Sequence, residues 1–202
     1  MRALAHCAVC LALLCAHGAA LAGAQVYEPL AASVQTALSK AVSDKAPVIS
    51  SFRSKVDEAN WLIAMSRRLE TRMPDLKTRI AFLKSVHYEA VRAGLDPQMV
   101  LGLIQVESRF NKYAVSASGA RGYMQVMPFW VKLIGAKGDD LFDMRKNLRY
   151  GCVILRHYLD LEKGDLYRAL GRYNGSLGKP AYPRAVLAAW KQRWHYSGGK
   201  PS

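Results

Sequence analysis

Apolar residues recur every three or four positions along most of residues 62–194, and the strict alternation of a half-buried strand is nearly absent. Leu62, Met65, Leu69 and Met73 form one stripe, which Pro74 stops. Leu76, Ile80, Leu83, Val86 and Ala90 form the next, ending at Gly94, a natural left-handed cap. Asp96-Pro97 then restarts a helix with an N-cap acceptor followed by proline at the first helical position. Leu148, Cys152, Leu155 and Leu159 give a later stripe, and Val186, Leu187, Trp190 and Trp194 the last. These spacings predict a mostly α domain with at most a short β-hairpin, in 112–123 or 134–145.

The first 24 residues read as an export signal rather than as fold. Arg2 is a small positive n-region, Cys7 to Cys15 is a short apolar stretch, and Ala22-Gly23-Ala24 fits a small-x-small cleavage site before Gln25. The stretch falls well short of the roughly 20 apolar residues a spanning helix needs. An uncleaved anchor is the alternative. Val9 and Leu14 stand where a lipid-anchored protein needs a small residue before its cysteine. The sequence thus predicts passage across the inner membrane to the periplasm, with no integral membrane segment once the signal is removed.

Three of the four cysteines lie in that signal, so Cys152 remains without an intramolecular disulfide partner and is expected to be a buried thiol on a helix stripe. Arg2 is the one charged residue of the signal, so the net charge falls from +14 to +13 on its removal. A surplus of that size favours polyanionic partners. Export argues against nucleic acid and for anionic lipid or an acidic wall polymer. Residues 25–57, rich in Ala, Ser and Lys with a weak helical pattern through Leu30, Val34, Leu38 and Ala41, read as a loosely packed N-terminal extension before a domain at 58–202.

The most informative segment is Met99-Val100-Leu101-Gly102-Leu103-Ile104-Gln105-Val106-Glu107. Its apolar positions run nearly all the way round a helix, which requires burial on several sides. Glu107 closes it. Desolvation and the negative end of the helix dipole both favour the protonated carboxyl there, the state a general acid needs. A capping or ion-pairing Glu beside Arg109 or Arg121 is the plainer alternative. The small, glycine-rich Ser116-Ala117-Ser118-Gly119-Ala120-Arg121-Gly122 follows, then Tyr123-Met124-Gln125-Val126-Met127-Pro128. Amide, thioether and aromatic groups together suit sugar rings, whose C–H faces are apolar and whose hydroxyl and N-acetyl groups need polar partners. Tyr173-Asn174-Gly175 repeats the theme.

As an ordered set, Glu107-Ser108-x-Phe110-Asn111, Ser116-x-x-Gly119-Ala120-x-Gly122-x-Met124-Gln125-x-Met127-Pro128, Asn147 and Tyr173-Asn174 resemble the soluble lytic transglycosylases over about residues 80–190. That resemblance implies a lysozyme-like helical domain of the goose type. It implies that Glu107 is the acid/base that cleaves the β-1,4 bond between N-acetylmuramic acid and N-acetylglucosamine in peptidoglycan glycan strands. It further implies that Ser116, Gln125 and Met127 line the glycan groove, that Tyr173 and Asn174 sit near the carboxylate, and that Tyr182 matches a later groove tyrosine. Lys112, Tyr123, Met144 and Gly175 depart from the family's usual residues, and Tyr123 and Gly175 bear on groove shape.

Beyond Asp96, no second carboxylate lies between Leu95 and Phe129, which fits one group acting as acid and then base to give a 1,6-anhydro product. Asp139, Asp140 and Asp143 keep open a hydrolytic muramidase, in which one of them activates water about 6.5–9.5 Å from Glu107. A non-catalytic basic wall-binding module is the third reading. No metal or other cofactor is implied: His87, His157 and His195 make no ligand spacing. General wall turnover and local opening of the wall for a secretion or conjugation apparatus fit the sequence equally well.

Overall fold

The computed structural model describes residues 25–43 and 52–198. The expected signal, residues 1–24, lies outside them. Eight α-helices follow in order among the described residues: α1 (Ala32–Ser43), α2 (Lys55–Leu69), α3 (Leu76–Arg92), α4 (Pro97–Glu107), α5 (Phe129–Ile134), α6 (Met144–Leu161), α7 (Leu166–Tyr173) and α8 (Ala181–Ala189). A π-helical turn, Trp190–Trp194, continues α8. None of the described helices is long and apolar enough to cross a membrane.

The helix starts follow from local chemistry. Ser54, Asp75, Asp96, Asp143 and Asp165 each occupy an N-cap and accept a hydrogen bond from a first-turn amide. Such a cap stabilises a helix by about 1 kcal/mol. The first stripe outlasts its helix: α2 ends at Leu69, and Met73 lies in the turn beyond, with its amide donating to the Leu69 carbonyl.

The core is assembled around α4 and α6. Met99, Val100, Leu101, Leu103 and Ile104 are all buried, packed between α3 on one side and α8 with the π-helical turn on the other. Gly102 makes that approach feasible, since a Cβ there would stand 2.9 Å from the backbone nitrogen of Trp190. Helix α6 touches α1, α3 and α7. Cys152 is fully buried on it, and burial pushes its thiol far above the usual range. Between α3 and α6 lies a buried charge cluster that hydropathy patterning does not reveal. Glu89, with no exposed surface, accepts from Arg149 at 2.8 and 3.1 Å and from Arg92 at 3.0 Å.

One expectation needs correcting. Helix α1, within the 25–57 segment, is not loosely packed. Leu38 and Val42 of α1 are buried, Gln35 donates to the Leu133 carbonyl at 2.7 Å, and Arg92 donates to the Ala41 carbonyl at 2.9 Å. The weak stripe suffices because it covers one side of α6 rather than forming a core of its own. In keeping with a mostly α domain that has at most a short β-hairpin, no strand forms among the described residues in 112–123 or 134–145. The first region holds only isolated antiparallel bridges, Val115 with Arg121 and Arg121 with Val126, because glycines and side-chain hydrogen bonds fold it into successive turns.

Candidate active site

Glu107 is the last residue of α4 and is 2% exposed. Immediately beyond, the chain turns through two left-handed residues, Arg109 (φ 52°) and Phe110 (φ 66°). Non-glycine residues reach this region at a cost, and such strain persists where the surroundings over-determine it. Here the anchor is Phe110, buried edge-on against Phe82 and Trp194 with ring centroids 6.1 and 5.3 Å away.

Tyr182, on the first turn of α8, donates its hydroxyl hydrogen bond to Glu107 Oε1. Both Tyr182 and Tyr173, the last residue of α7, are buried. Burial first, and the Glu107 charge second, push both phenols well above the usual tyrosine range. Each therefore stays a protonated donor at any pH the fold meets. Tyr173 Oη donates to the Met124 carbonyl at 2.7 Å, which ties the loop carrying Gln125 and Met127 to the end of α7.

That loop is braced from within. Asn147 on α6 accepts from the Met124 amide and donates to the carbonyls of Arg121 and Leu141, all at 2.8 Å. Gly122, at φ 73°, leaves room for it: a Cβ there would lie 2.4 Å from Asn147 Nδ2. Gln125 is itself left-handed, at φ 49°, and its carboxamide donates inward to the carbonyls of Gly122 at 2.9 Å and Ala114 at 3.1 Å. Its side chain shapes the loop, and what it turns outward is backbone. Ser116 Oγ accepts from the Ala120 amide at 3.0 Å, closing the glycine-rich turn at the loop's far end.

The site residues anticipated from sequence thus divide. Glu107, Tyr182 and Tyr173 converge, and Tyr173 joins them to the Met124–Met127 backbone. Asn174 follows directly: its Nδ2 donates to Ser176 Oγ at 3.0 Å, while its Oδ1 is buried with no hydrogen-bond partner among the described residues. A buried acceptor left without a partner suits a hydroxyl donor. Ser116 has no hydrogen bond to this group. Gln25 escaped the sequence reading entirely. It is 3% exposed, accepts from the Met127 amide at 3.2 Å, and directs Nε2 to the Gln125 carbonyl at 3.4 Å. Nothing in a lone Gln within an Ala/Ser-rich segment signals a contact 102 residues away.

The three aspartates of the hydrolytic alternative are engaged elsewhere. Asp143 caps α6, Asp140 accepts from the Phe142 amide at 2.8 Å, and Asp139 accepts from Lys146 and Tyr150, both at 2.7 Å. Among the described residues, no group of three or more His, Cys, Asp or Glu is placed to hold a metal ion.

Fold and site together define an all-helical domain in which a single buried carboxyl is enclosed by tyrosines and faced by a turn-rich loop. The sequence profile of the Transglycosylase SLT domain matches residues 84–184, and the chain belongs to that family. It is 40% identical over 100 residues to the transglycosylase of Enterobacteria phage PRD1, covering 46% of this chain and 37% of that protein. It is 34% identical over 113 residues to the membrane-bound lytic murein transglycosylase C of Yersinia pestis, covering 48% and 32%. The chain spans about a third of the length of these curated relatives. Among solved structures, an inactive mutant of lytic transglycosylase Slt from Pseudomonas aeruginosa aligns over 69% of this chain and 25% of its own, at TM-score 0.44 and 22% identity.

Proposed function

We propose that this chain is a murein lytic transglycosylase acting on the bond between N-acetylmuramic acid and N-acetylglucosamine in peptidoglycan strands. The observation that carries the reading is Glu107, a buried carboxyl at a helix C-terminus that accepts a hydrogen bond from Tyr182. Burial and the dipole favour the protonated form before reaction, and the phenol stabilises the carboxylate once the proton has gone. One group with those two environments can act first as acid and then as base.

Glu107 gives its proton to the glycosidic oxygen as the C1–O bond breaks through an oxocarbenium-like state. The carboxylate then removes the proton from the C6 hydroxyl of the same muramic acid, and O6 bonds to C1. The net change moves one proton from O6 to the leaving oxygen, consumes no water and leaves a 1,6-anhydro end. Asn174 Oδ1, which follows Tyr173 directly and has no hydrogen-bond partner among the described residues, would accept from a sugar hydroxyl. The engagement of Asp139, Asp140 and Asp143 in caps and ion pairs favours this route over hydrolysis. The signal-like residues 1–24 support a periplasmic location, where the basic surface would meet the acidic wall.

The test is mass spectrometry of muropeptides released from purified sacculi by the wild-type chain and by Glu107→Gln. Anhydro ends from the wild type, and binding without release by Glu107→Gln, are expected. Reducing ends would assign the muramidase instead. A wild-type chain that binds sacculi and never cuts would make it a wall-binding module.

A further inference from the structure

The Gln25 carboxamide reaches the centre of the site from outside the helical core. Its Oε1 accepts from the Met127 amide at 3.2 Å and its Nε2 points at the Gln125 carbonyl at 3.4 Å, on the loop that the Tyr173 phenol ties to α7. One backbone N–H and one backbone C=O, two residues apart on a braced loop, therefore read a single carboxamide. An acetamido group presents the same acceptor oxygen and N–H donor. Both sugars of the proposed substrate carry one.

The residues that follow Gln25 are held by weaker contacts than α1 is. Tyr27 meets Phe129 edge-on at 5.7 Å while remaining 55% exposed, and Glu28 pairs with Arg172 at 3.2 Å in a half-exposed ion pair. Helix α1, starting at Ala32, is by contrast anchored by buried Leu38 and Val42. The segment 25–28 can thus leave the loop while α1 stays docked.

We propose that residues 25–28 form a self-occupying strap: the Gln25 carboxamide fills, in the absence of glycan, a subsite in which the Met127 amide and Gln125 carbonyl hold a substrate acetamido group. The proposal rests on the glycan-cleaving reading above. Glycan binds by displacing the strap, so apparent affinity is lowered by the fraction of molecules in which the strap is docked. The loop is kept in its binding geometry meanwhile, since its outward N–H and C=O are satisfied by Gln25 rather than left to collapse.

The experiment compares the full chain with Gln25→Ala and with Glu28→Gln, which loosens the strap without touching the subsite. Binding of tetra-N-acetylchitotetraose is measured in the Glu107→Gln background, and sacculus turnover with Glu107 intact. Gln25→Ala should tighten binding by about fivefold, the equivalent of about 1 kcal/mol for one net hydrogen bond. It should lower KM by a similar factor, and Glu28→Gln should move both in the same direction by less. A Gln25→Ala chain that binds glycan more weakly would make Gln25 part of the glycan site and overturn the strap. Unchanged affinity and KM in both variants, with wild-type cleavage intact, would overturn the strap alone. If no form binds or cuts glycan, the glycan-cleaving reading fails and the strap with it.

Discussion

Tyr182→Phe removes a hydrogen bond that distinguishes the two protonation states of Glu107. The ring is 1% exposed and packed, so removing its oxygen leaves the shape of α8 against α4 intact. A hydrogen bond to a charged acceptor contributes about 1.5–3 kcal/mol. With the proton roughly half transferred at the barrier, about half of that is realised in the transition state, or about 1 kcal/mol, a five- to tenfold loss in kcat. The sign of the pH effect follows from the donor. Losing it disfavours the carboxylate, so the limb on which activity falls as the acid ionises moves to higher pH. Initial rates of sacculus solubilisation from pH 4 to 9, with thermal melts to verify folding, measure both. A folded Tyr182→Phe chain with wild-type kcat and an unmoved profile would refute the idea that this phenol serves the carboxyl.

Asn147→Ala strips three hydrogen bonds from the Arg121–Met124 turn and leaves the Met124 amide unsatisfied, so about 2–3 kcal/mol of stability should go, seen as a lower Tm and faster amide exchange across 121–124. Glu89→Ala leaves Arg149 buried without its carboxylate and should cost about 3–5 kcal/mol in a urea titration, well beyond a typical surface substitution. His87, stacked on Phe52 at 3.6 Å, is held neutral by burial, its pKa lowered from 6.5 to about 4. The unfolded chain therefore binds the extra proton between those values, and stability is lost as pH falls from 6.5 towards 4. The full linkage is about 3 kcal/mol, reduced to nearer 2 by solvent screening, and His87→Phe should remove that part of the acid sensitivity in melts at pH 7 and 4.5.

Much of the scaffold was legible because it obeys short-range rules. The 3–4 spacing placed α3, α4 and α6, Asp96-Pro97 marked the start of α4, and an apolar run on all its faces announced its burial. Glu107 stood out because a charged residue closing such a helix conflicts with its surroundings. The remainder depends on contacts between distant positions. Nothing local tells that Glu89 will meet Arg149, since each is an ordinary charged residue within its own helix. The left-handed turns at Arg109, Phe110 and Gln125 are equally hidden, because their residue types carry no preference for that conformation and tertiary packing imposes it. Ser116 and Gln125, suggestive of groove lining by type, direct their side chains into the loop. Gln25 gave no sign at all.

The absent side chain at position 102 has an effect beyond packing. With the α4 backbone close against Trp190, any side chain at 102 would force the two apart and carry the carboxyl at the far end of α4 with it. The turns after residue 108 and the stretch between α7 and α8 carry no such constraint. Grafting those two segments from a relative onto this frame is accordingly the economical way to retune the proposed glycan preference, while repacking the central helix would displace Glu107.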